Sequence, residues 1–486
     1  MVKNHRNKWV QGDDKIAKAA VHHFKNLFNT SHTFNDFDIL NYINPCIADD
    51  DNNKLVAVPD LEEIKDAVFN MSASSAPGPD GYSGIFFHKC WDIIQYDIME
   101  YVQDFFRGKN LSKFYSHTCL ILIPKTESPS NFSELRPISL SNFTCKIISK
   151  ILSNRLNPLL ERLISENQSG FIKGRLIHEN VLLTQEIVHG IKQYNKGGNV
   201  IMKLDMAKAY DKMSWYFLMS VMKQFGFSGI WLDMIWRIIA NMWYSILING
   251  NRVGFFSSSH GLKQGDPLSP SLFIIGSELL SRMLNSLNSY EHFTPFSMNL
   301  NGPVINHLAY ADDIVIFSGG NNKSIKLIKH QIRRYEKASG QQVNDAKSFF
   351  ITAPKTASNR INRLRRVTDY MDNTFPFTYL GCPIYNGKKN LSYFDGMLAK
   401  NVKRLNGWQC NMLSHGGKVI LIKHVLQSVP IYTLSAITPP NGTINLIEKH
   451  FANFLWGSSD GKNKYHWSKW ENLCIPKDEG GLALGV

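Results

Sequence analysis

The sequence predicts an α+β fold on three observations. Amphipathic helical stretches lie towards both ends of the chain, two hairpin patterns lie between them, and strands do not alternate regularly with helices. One hairpin turns on Asn249-Gly250, the strongest short turn signal, between runs 244–249 and 253–257. The other joins runs 304–310 and 314–317 through Ala311-Asp312-Asp313. With 486 residues the chain has room for about three domains. Its 43% hydrophobic and 19% charged residues are the composition of a folding chain.

In chain order, the first 60 residues hold one helical stretch, 14–28, where Ile16, Ala19, Ala20, His23 and Phe24 recur at helical spacing before a polar Asp/Asn-rich link. Ala76-Pro77-Gly78-Pro79-Asp80-Gly81 is a rigid turn between helices 60–72 and 85–107. Residues 119–124 read as a strand, and Arg136-Pro137-Ile138-Ser139-Leu140 as the opening of a helix over 142–163. A loop with two glycines and two cations, Gln168 to Arg175, leads to another helix. Residues 200–205 form a strand ending on Asp205, and Trp215, Leu218, Met219, Met222 and Phe225 mark the next helix. The stretch 230–248 is the most apolar of helix length, but it contains Asp233 and Arg237 and reads as a core helix, not a membrane span. Pro267, after Gln264-Gly265-Asp266, suits the first turn of a helix. Beyond Gly320 come a basic helix (322–339), a strand (348–352), a turn region (376–387) and helices ending near Trp456.

A net charge of +14 points to a polyanion partner. The whole excess falls within residues 321–430, which hold 19 Lys/Arg against 5 Asp/Glu. Within 322–339, Lys326, Lys329, Arg333 and Lys337 form a cationic stripe, continued by Arg363, Arg365 and Arg366. The seven cysteines, Cys410 among them, show no Cys-x-x-Cys pair or zinc spacing, so reduced thiols of an intracellular protein are expected. The polar start of the chain shows no secretory signal, and no membrane crossing is expected.

Asp205, Asp312 and Asp313 stand at strand ends or turns inside apolar sequence. Singly they read as turn formers or a helix cap. Together, packed carboxylates raise one another's pKa and persist as anions only around positive charge, for which a hard divalent cation is the simplest source. Oxygen-only ligands favour Mg²⁺ over zinc, and two such ions can clamp the attacking and leaving oxygens of a phosphoryl transfer.

Seven blocks in order carry a family resemblance: Ala76 to Gly81; Leu135-Arg136-Pro137-Ile138-Ser139-Leu140; Gln168-Ser169-Gly170-Phe171; Asp205-Met206-Ala207-Lys208-Ala209-Tyr210-Asp211; Gly261 to Pro270; Tyr310-Ala311-Asp312-Asp313; and Tyr379-Leu380-Gly381 with His466-Trp467 to Gly480-Gly481-Leu482. On these the chain resembles the reverse transcriptase of plant LINE-type (non-LTR) retrotransposons from about residue 61 to 484. The resemblance implies a right-hand polymerase of fingers (61–198), palm with an antiparallel sheet (199–387) and helical thumb (388–486). Residues 1–60 would be a linker after an endonuclease. It implies that Asp205, Asp312 and Asp313 hold two Mg²⁺ ions, with Mn²⁺ as a substitute. RNA template, DNA primer and dNTPs are the implied partners, and a nuclear or cytoplasmic location follows.

Residue by residue, Tyr210 would exclude a ribose 2′-hydroxyl, Gln264 and Gly265 would lie against the new base pair, and Arg136 and Lys125 would meet the triphosphate or template. Lys347 would protonate pyrophosphate, although Asp345 departs from the family pattern beside it. Arg175 would face the template, and Tyr379, Leu380 and Gly381 would form the primer grip. Lys326 and Arg333 would belong to the side that grips the template–primer duplex. Two other readings are a silent RNA-binding relative, which the three intact carboxylates disfavour, and an intron or telomerase enzyme, whose extra RNA-binding parts are not evident. A truncated reading frame, separated from its endonuclease and ribonuclease H or zinc-knuckle parts, is a further expectation.

Overall fold

The computed structural model describes residues 1–29, 36–298, 303–405, 413–459, 462–463 and 465–484. Helix α1 (Asp13–Phe28) buries Ala20, Phe24 and Phe28. The link after it is not featureless, since it holds a short helix, Asp49–Val56, and a 3₁₀ turn, Phe37–Tyr42. Helix α2 (Leu61–Phe69) starts on Asp60, whose carboxylate accepts the Glu63 N–H. The expected helix 85–107 is broken at Cys90 into Gly84–Lys89 and α3 (Trp91–Phe106).

Strand β1 (His117–Pro124) pairs antiparallel with β2 (Leu135–Ser141). This corrects the expectation that the Arg136 block opens a helix: helix α4 (Phe143–Leu163) starts only after the strand. Pro137 is tolerated because β2 lies at the edge of its sheet, where a missing N–H need cost no ladder bond. Helix α5 (Ile177–His189) precedes β3 (Asn199–Asp205), and α6 (Trp215–Phe225) and α7 (Gly229–Ile239) follow it. The apolar stretch 230–248 is therefore a helix that stops at Ile239 and then a strand, β4 (Trp243–Ile248).

β4 turns on Asn249 and Gly250, both at positive φ, into β5 (Asn251–Ser257). This hairpin joins the first sheet, in the order β2-β1-β4-β5, through a parallel β1–β4 pair. It thus lies with residues 117–141 and not in the sheet of the carboxylates. Helix α8 (Ser269–Ser286) has Pro270, not Pro267, in its first turn.

The second sheet holds the carboxylates. Strands β6 (His307–Tyr310) and β7 (Asp313–Gly319), the latter followed by helix α9 (Asn322–Ser339), are joined by β8 (Phe349–Thr352), helix α10 (Ser358–Thr368) and β9 (Met371–Asp372). The order is β9-β8-β3-β7-β6. It is antiparallel except at β8–β9, where Phe349 pairs with Met371 in parallel, so the expected antiparallel sheet is a mixed one. The turn region 376–387 contains a small hairpin, β10 (Phe377–Tyr379) and β11 (Cys382–Ile384), with Leu380 and Gly381 at positive φ.

Alternation along β3 divides the core in two. Val200, Met202 and Leu204 pack with Ile314, Ile316 and the α9 residues Ile325, Ile328, Ile332 and Tyr335. Ile201 packs on the other face with Val315, Phe317, Tyr379 and the C-terminal helices α11 (Asp395–Leu405), α12 (His415–Leu421) and α13 (Asn441–Trp456). Beyond α12 the helical run continues to Ala436. His415–Ala436 is 22 residues long, with a mean hydropathy over its most apolar window of 1.3, enough by length and composition to cross a membrane. It contains Lys418, Lys423 and His424 and sends Ile422, Leu426 and Ala436 into this second core. Cys46, Cys90, Cys119, Cys145, Cys382 and Cys474 are unpaired thiols, and Cys410 lies outside the described residues.

Candidate active site

Asp205 ends β3 directly opposite Asp313, the first residue of β7. Asp312 sits in the two-residue turn just before it, after Ala311 at φ 54. A left-handed alanine is strained, and the Gln168-Ser169-Gly170 loop holds it. The Gln168 Oε1 accepts the N–H of Ala311 at 2.9 Å and of Gly170 at 2.8 Å, while Ser169 N–H and the Asn180 amide both donate to Ala309 O. A Cβ on Gly170 would lie 2.6 Å from the Ala311 nitrogen, so only glycine lets the loop approach this closely.

Asp205 and Asp312 line a cleft of about 780 Å³ between the two sheets. Lys125 and Arg136, at the ends of β1 and β2, form its opposite wall, and Tyr210, Asp211, Gln264, Asn344 and Lys347 complete it. Burial raises the Asp312 pKa above the usual carboxylate value, and the like charges of Asp313 and Asp205 push the same way. Asp205 is tied through its backbone: its N–H donates to Ser348 Oγ and its carbonyl accepts the Asn344 N–H. The Lys347 ammonium lies 3.8 Å from its carboxylate.

Asp313 differs from the other two acids. Lys203, two residues before Asp205 and on the same sheet face, reaches across and pairs with it at 2.7 Å, the two side chains being 13% and 35% exposed. Sequence reading put a cation among all three carboxylates and overlooked this lysine. Among the described residues, no group of three or more His, Cys, Asp or Glu is placed to hold a metal ion. Of the three expected ligands, Asp205 and Asp312 line the cleft, and Asp313 is paired with Lys203. Two oxygen-only ligands still fit a hard divalent cation, because Mg²⁺ takes one or two protein carboxylates and fills its shell with water and substrate phosphates.

Tyr210 stacks on Phe273, with ring centroids 4.5 Å apart and planes 9° from parallel, so the ring is fixed at the cleft wall. Gln264 donates through Nε2 to Asp211 Oδ1 at 3.1 Å, and its carbonyl accepts the Ser139 N–H. Gly265 has φ 104 and passes close to β2, where an added Cβ would be 3.3 Å from Ser139 O. Asp211 was not singled out from the sequence. It is 3% exposed, and burial raises its pKa to about 6 against the opposing pull of Lys208 and Lys125. Its position beside Tyr210 in the Asp205–Asp211 block was the available signal.

Several expected contacts fall elsewhere. Arg175 spends its guanidinium on the carbonyls of Ile164, Ser165 and Gln168, closing the end of α4, so those donors are not offered to a template. Tyr379 is fully buried, Tyr432 donates to Leu380 O, and Leu380 and Gly381 make the turn between β10 and β11 at positive φ. Lys326 and Arg333 lie on α9, which covers the face of β3 opposite Asp205. They are therefore outside the cleft, because residues 200, 202 and 204 face α9 and residue 205 does not.

The cleft thus gathers two carboxylates beside an antiparallel hairpin with Lys125, Arg136 and Lys347 around them. Residues 123–384 match the family model described as reverse transcriptase (RNA-dependent DNA polymerase), just over half of the chain, and the chain belongs to that family. It is 23% identical over 446 residues, 90% of its length, to a 149 kDa uncharacterized protein of transposon TX1 from Xenopus laevis. It is 27% identical over 249 residues to the Pol polyprotein of the type-2 retrotransposable element R2DM from Drosophila melanogaster, covering 51% of the chain. A putative ribonuclease H protein of Arabidopsis thaliana is 36% identical over 102 residues, 21% of the chain. The chain spans 33%, 22% and 16% of these three relatives, respectively. Its homologues thus include non-LTR retrotransposon proteins.

Proposed function

We propose that this chain is an RNA-directed DNA polymerase of a non-LTR retrotransposon, adding dNTPs to a primer 3′-end on an RNA template. The observation that carries the reading is the convergence of Asp205 and Asp312 on one cleft with Lys125, Arg136, Tyr210, Gln264 and Lys347. Asp205 and Asp312 would hold the divalent metal, two Mg²⁺ ions or their substitute Mn²⁺. When bound, it supplies Lewis-acid stabilisation of the charge that develops on the transferring phosphate. Lys203 holds Asp313 beside them and limits like-charge repulsion in the cluster. Arg136 and Lys125 take the triphosphate, the former as a fork and the latter as a point charge. Lys347 stands by the pyrophosphate leaving group as a proton donor, and the Tyr210 ring closes the space a 2′-hydroxyl would need.

In this reading the first sheet with helices of residues 61–198 is the fingers, the second sheet the palm and residues 388–486 the thumb, with 1–60 preceding the fingers. A plant LINE-type parent and a nuclear or cytoplasmic location belong to the same proposal, on the strength of the sequence blocks. Purified chain with poly(rA)/oligo(dT), labelled dTTP and Mg²⁺ should incorporate label, and Tyr210→Ala should admit ribonucleotides. No template-dependent incorporation by the wild-type chain would contradict the reading.

A further inference from the structure

The basic excess of this chain is concentrated on a surface that the cleft does not use. α9 and α10 pack side by side and carry ten Lys/Arg against one acid, Glu336. That acid is turned inward, its carboxylate accepting the Val343 N–H. Lys329 ties the two helices together, donating to Thr368 O and lying over the Tyr370 ring. Outward, Lys323, Lys326, His330, Arg333 and Lys337 are all exposed at spacings of three and four, which makes one continuous stripe along α9. Arg363 and Arg366 are exposed on α10 beside it.

The stripe has a direction. It runs for about 21 Å at 1.5 Å per residue from Lys323 to Lys337. Its Lys337 end lies at the rim of the cleft: just beyond it, Gln342 O accepts the Ala207 N–H, and Asn344 and Lys347 wall the carboxylates. From that rim it leads away along the face of the sheet opposite Asp205.

A track of alternating cations that begins at a polymerising cleft is complementary to a phosphate chain continuous with whatever the cleft holds. We propose that α9 and α10 bind the unread, single-stranded part of the RNA template outside the cleft. The inference rests on the polymerase reading for the identity of the strand. It assigns Lys326 and Arg333 to template bound outside the active site, not to the duplex inside it. Arg333 and Lys329 are partly neutralised by Asp369, at 3.0 and 3.5 Å, so the free members of the stripe carry most of the effect.

The test is a five-site variant, Lys323→Gln, Lys326→Gln, Lys337→Gln, Arg363→Gln and Arg366→Gln. It leaves in place the cations that hold the fold through Asp36, Asp369 and Asp372. Binding is measured without dNTPs, by fluorescence anisotropy, on primed RNA templates with an unread overhang of about 30 or about 3 nucleotides, several site lengths against less than one. The wild type should bind the long overhang at least about tenfold tighter at 0.1 M salt, and the variant should lose that gain. Its salt slope on the long template should shrink by about 3, at roughly 0.7 per single-strand phosphate released. Affinity for the short template, and extension of it, should stay within about twofold, since every changed residue lies outside the cleft.

An overhang gain that survives in the variant would overturn the inference and leave the polymerase reading intact. Wild type that fails to bind any primed template would overturn both. A variant that loses the gain while the wild type fails to extend primers would support the track and count against the activity.

Discussion

The two faces of the second sheet differ in what their cations touch. On the face of Ile201, Lys203 and Asp205, positive charge is spent at short range: Lys203 on Asp313 at 2.7 Å, Lys347 near Asp205 at 3.8 Å, with Lys125 and Arg136 across the cleft. On the face covered by α9, the exposed lysines meet solvent and are arranged by helical periodicity instead of by convergence. Convergent charge inside a walled cleft can organise a reaction, whereas charge spread along a helix can only hold a long polyanion. Net charge alone does not distinguish the two, and the register of β3 does.

The comparison breaks first at the carboxylates. Asp205→Asn should lower the rate of nucleotide addition by on the order of 10³-fold, since the lost Lewis-acid contribution is several kcal/mol. RNA affinity should hold within a factor of about two, because the phosphate-binding cations remain. Lys203→Met removes the partner of a half-buried carboxylate and should destabilise the protein in EDTA by about 1–3 kcal/mol. Added Mg²⁺ should then raise its melting temperature more than that of the wild type, because the cluster has gained a negative charge. An equal Mg²⁺ shift in both proteins would show that Lys203 does not screen the acids.

Smaller effects sharpen the picture of the supporting loops. Gly170→Ala must displace Ala311, and should cost about 1–3 kcal/mol in chemical denaturation while slowing extension. Asp211 gives a pH test. Its folded pKa of about 6 lies above the unfolded value of 3.8, so the folded state binds more protons in that window and its stability falls as pH rises from about 4 to 6. Asp211→Asn should remove this loss, roughly 1–3 kcal/mol between those limits. Urea midpoints at pH 4 and 7 that move as in the wild type would refute the assignment.

Much of this was legible in the sequence, and the misses share a cause. The basic helix 322–339 and the two hairpin turns could be read because local pattern sets them: an amphipathic stripe, Asn249-Gly250, and two acids between apolar strands. Residues 135–141 were misread because their partner, β1, satisfies the backbone of a Pro-containing edge strand. Residues 244–248 could be read as a hairpin strand, but not their parallel pairing with His117–Leu120, more than 120 residues away. No local pattern announces such a contact. In the site, Asp205 and Asp312 could be found because carboxylates in apolar sequence are conspicuous. Lys203 could not, since a lysine within a strand reads as solvent-facing until the register shows which face it shares with Asp313.

The most direct test is a single-turnover extension on a primed RNA template in Mg²⁺, reading the rate at saturation and the apparent Kd together for wild type and Asp312→Asn. The expected result is a rate lower by on the order of 10³-fold at an unchanged Kd, the signature of a group that acts on the transition state alone. Equal rates for the two proteins would contradict the placing of the chemistry at the Asp205–Asp312 cleft.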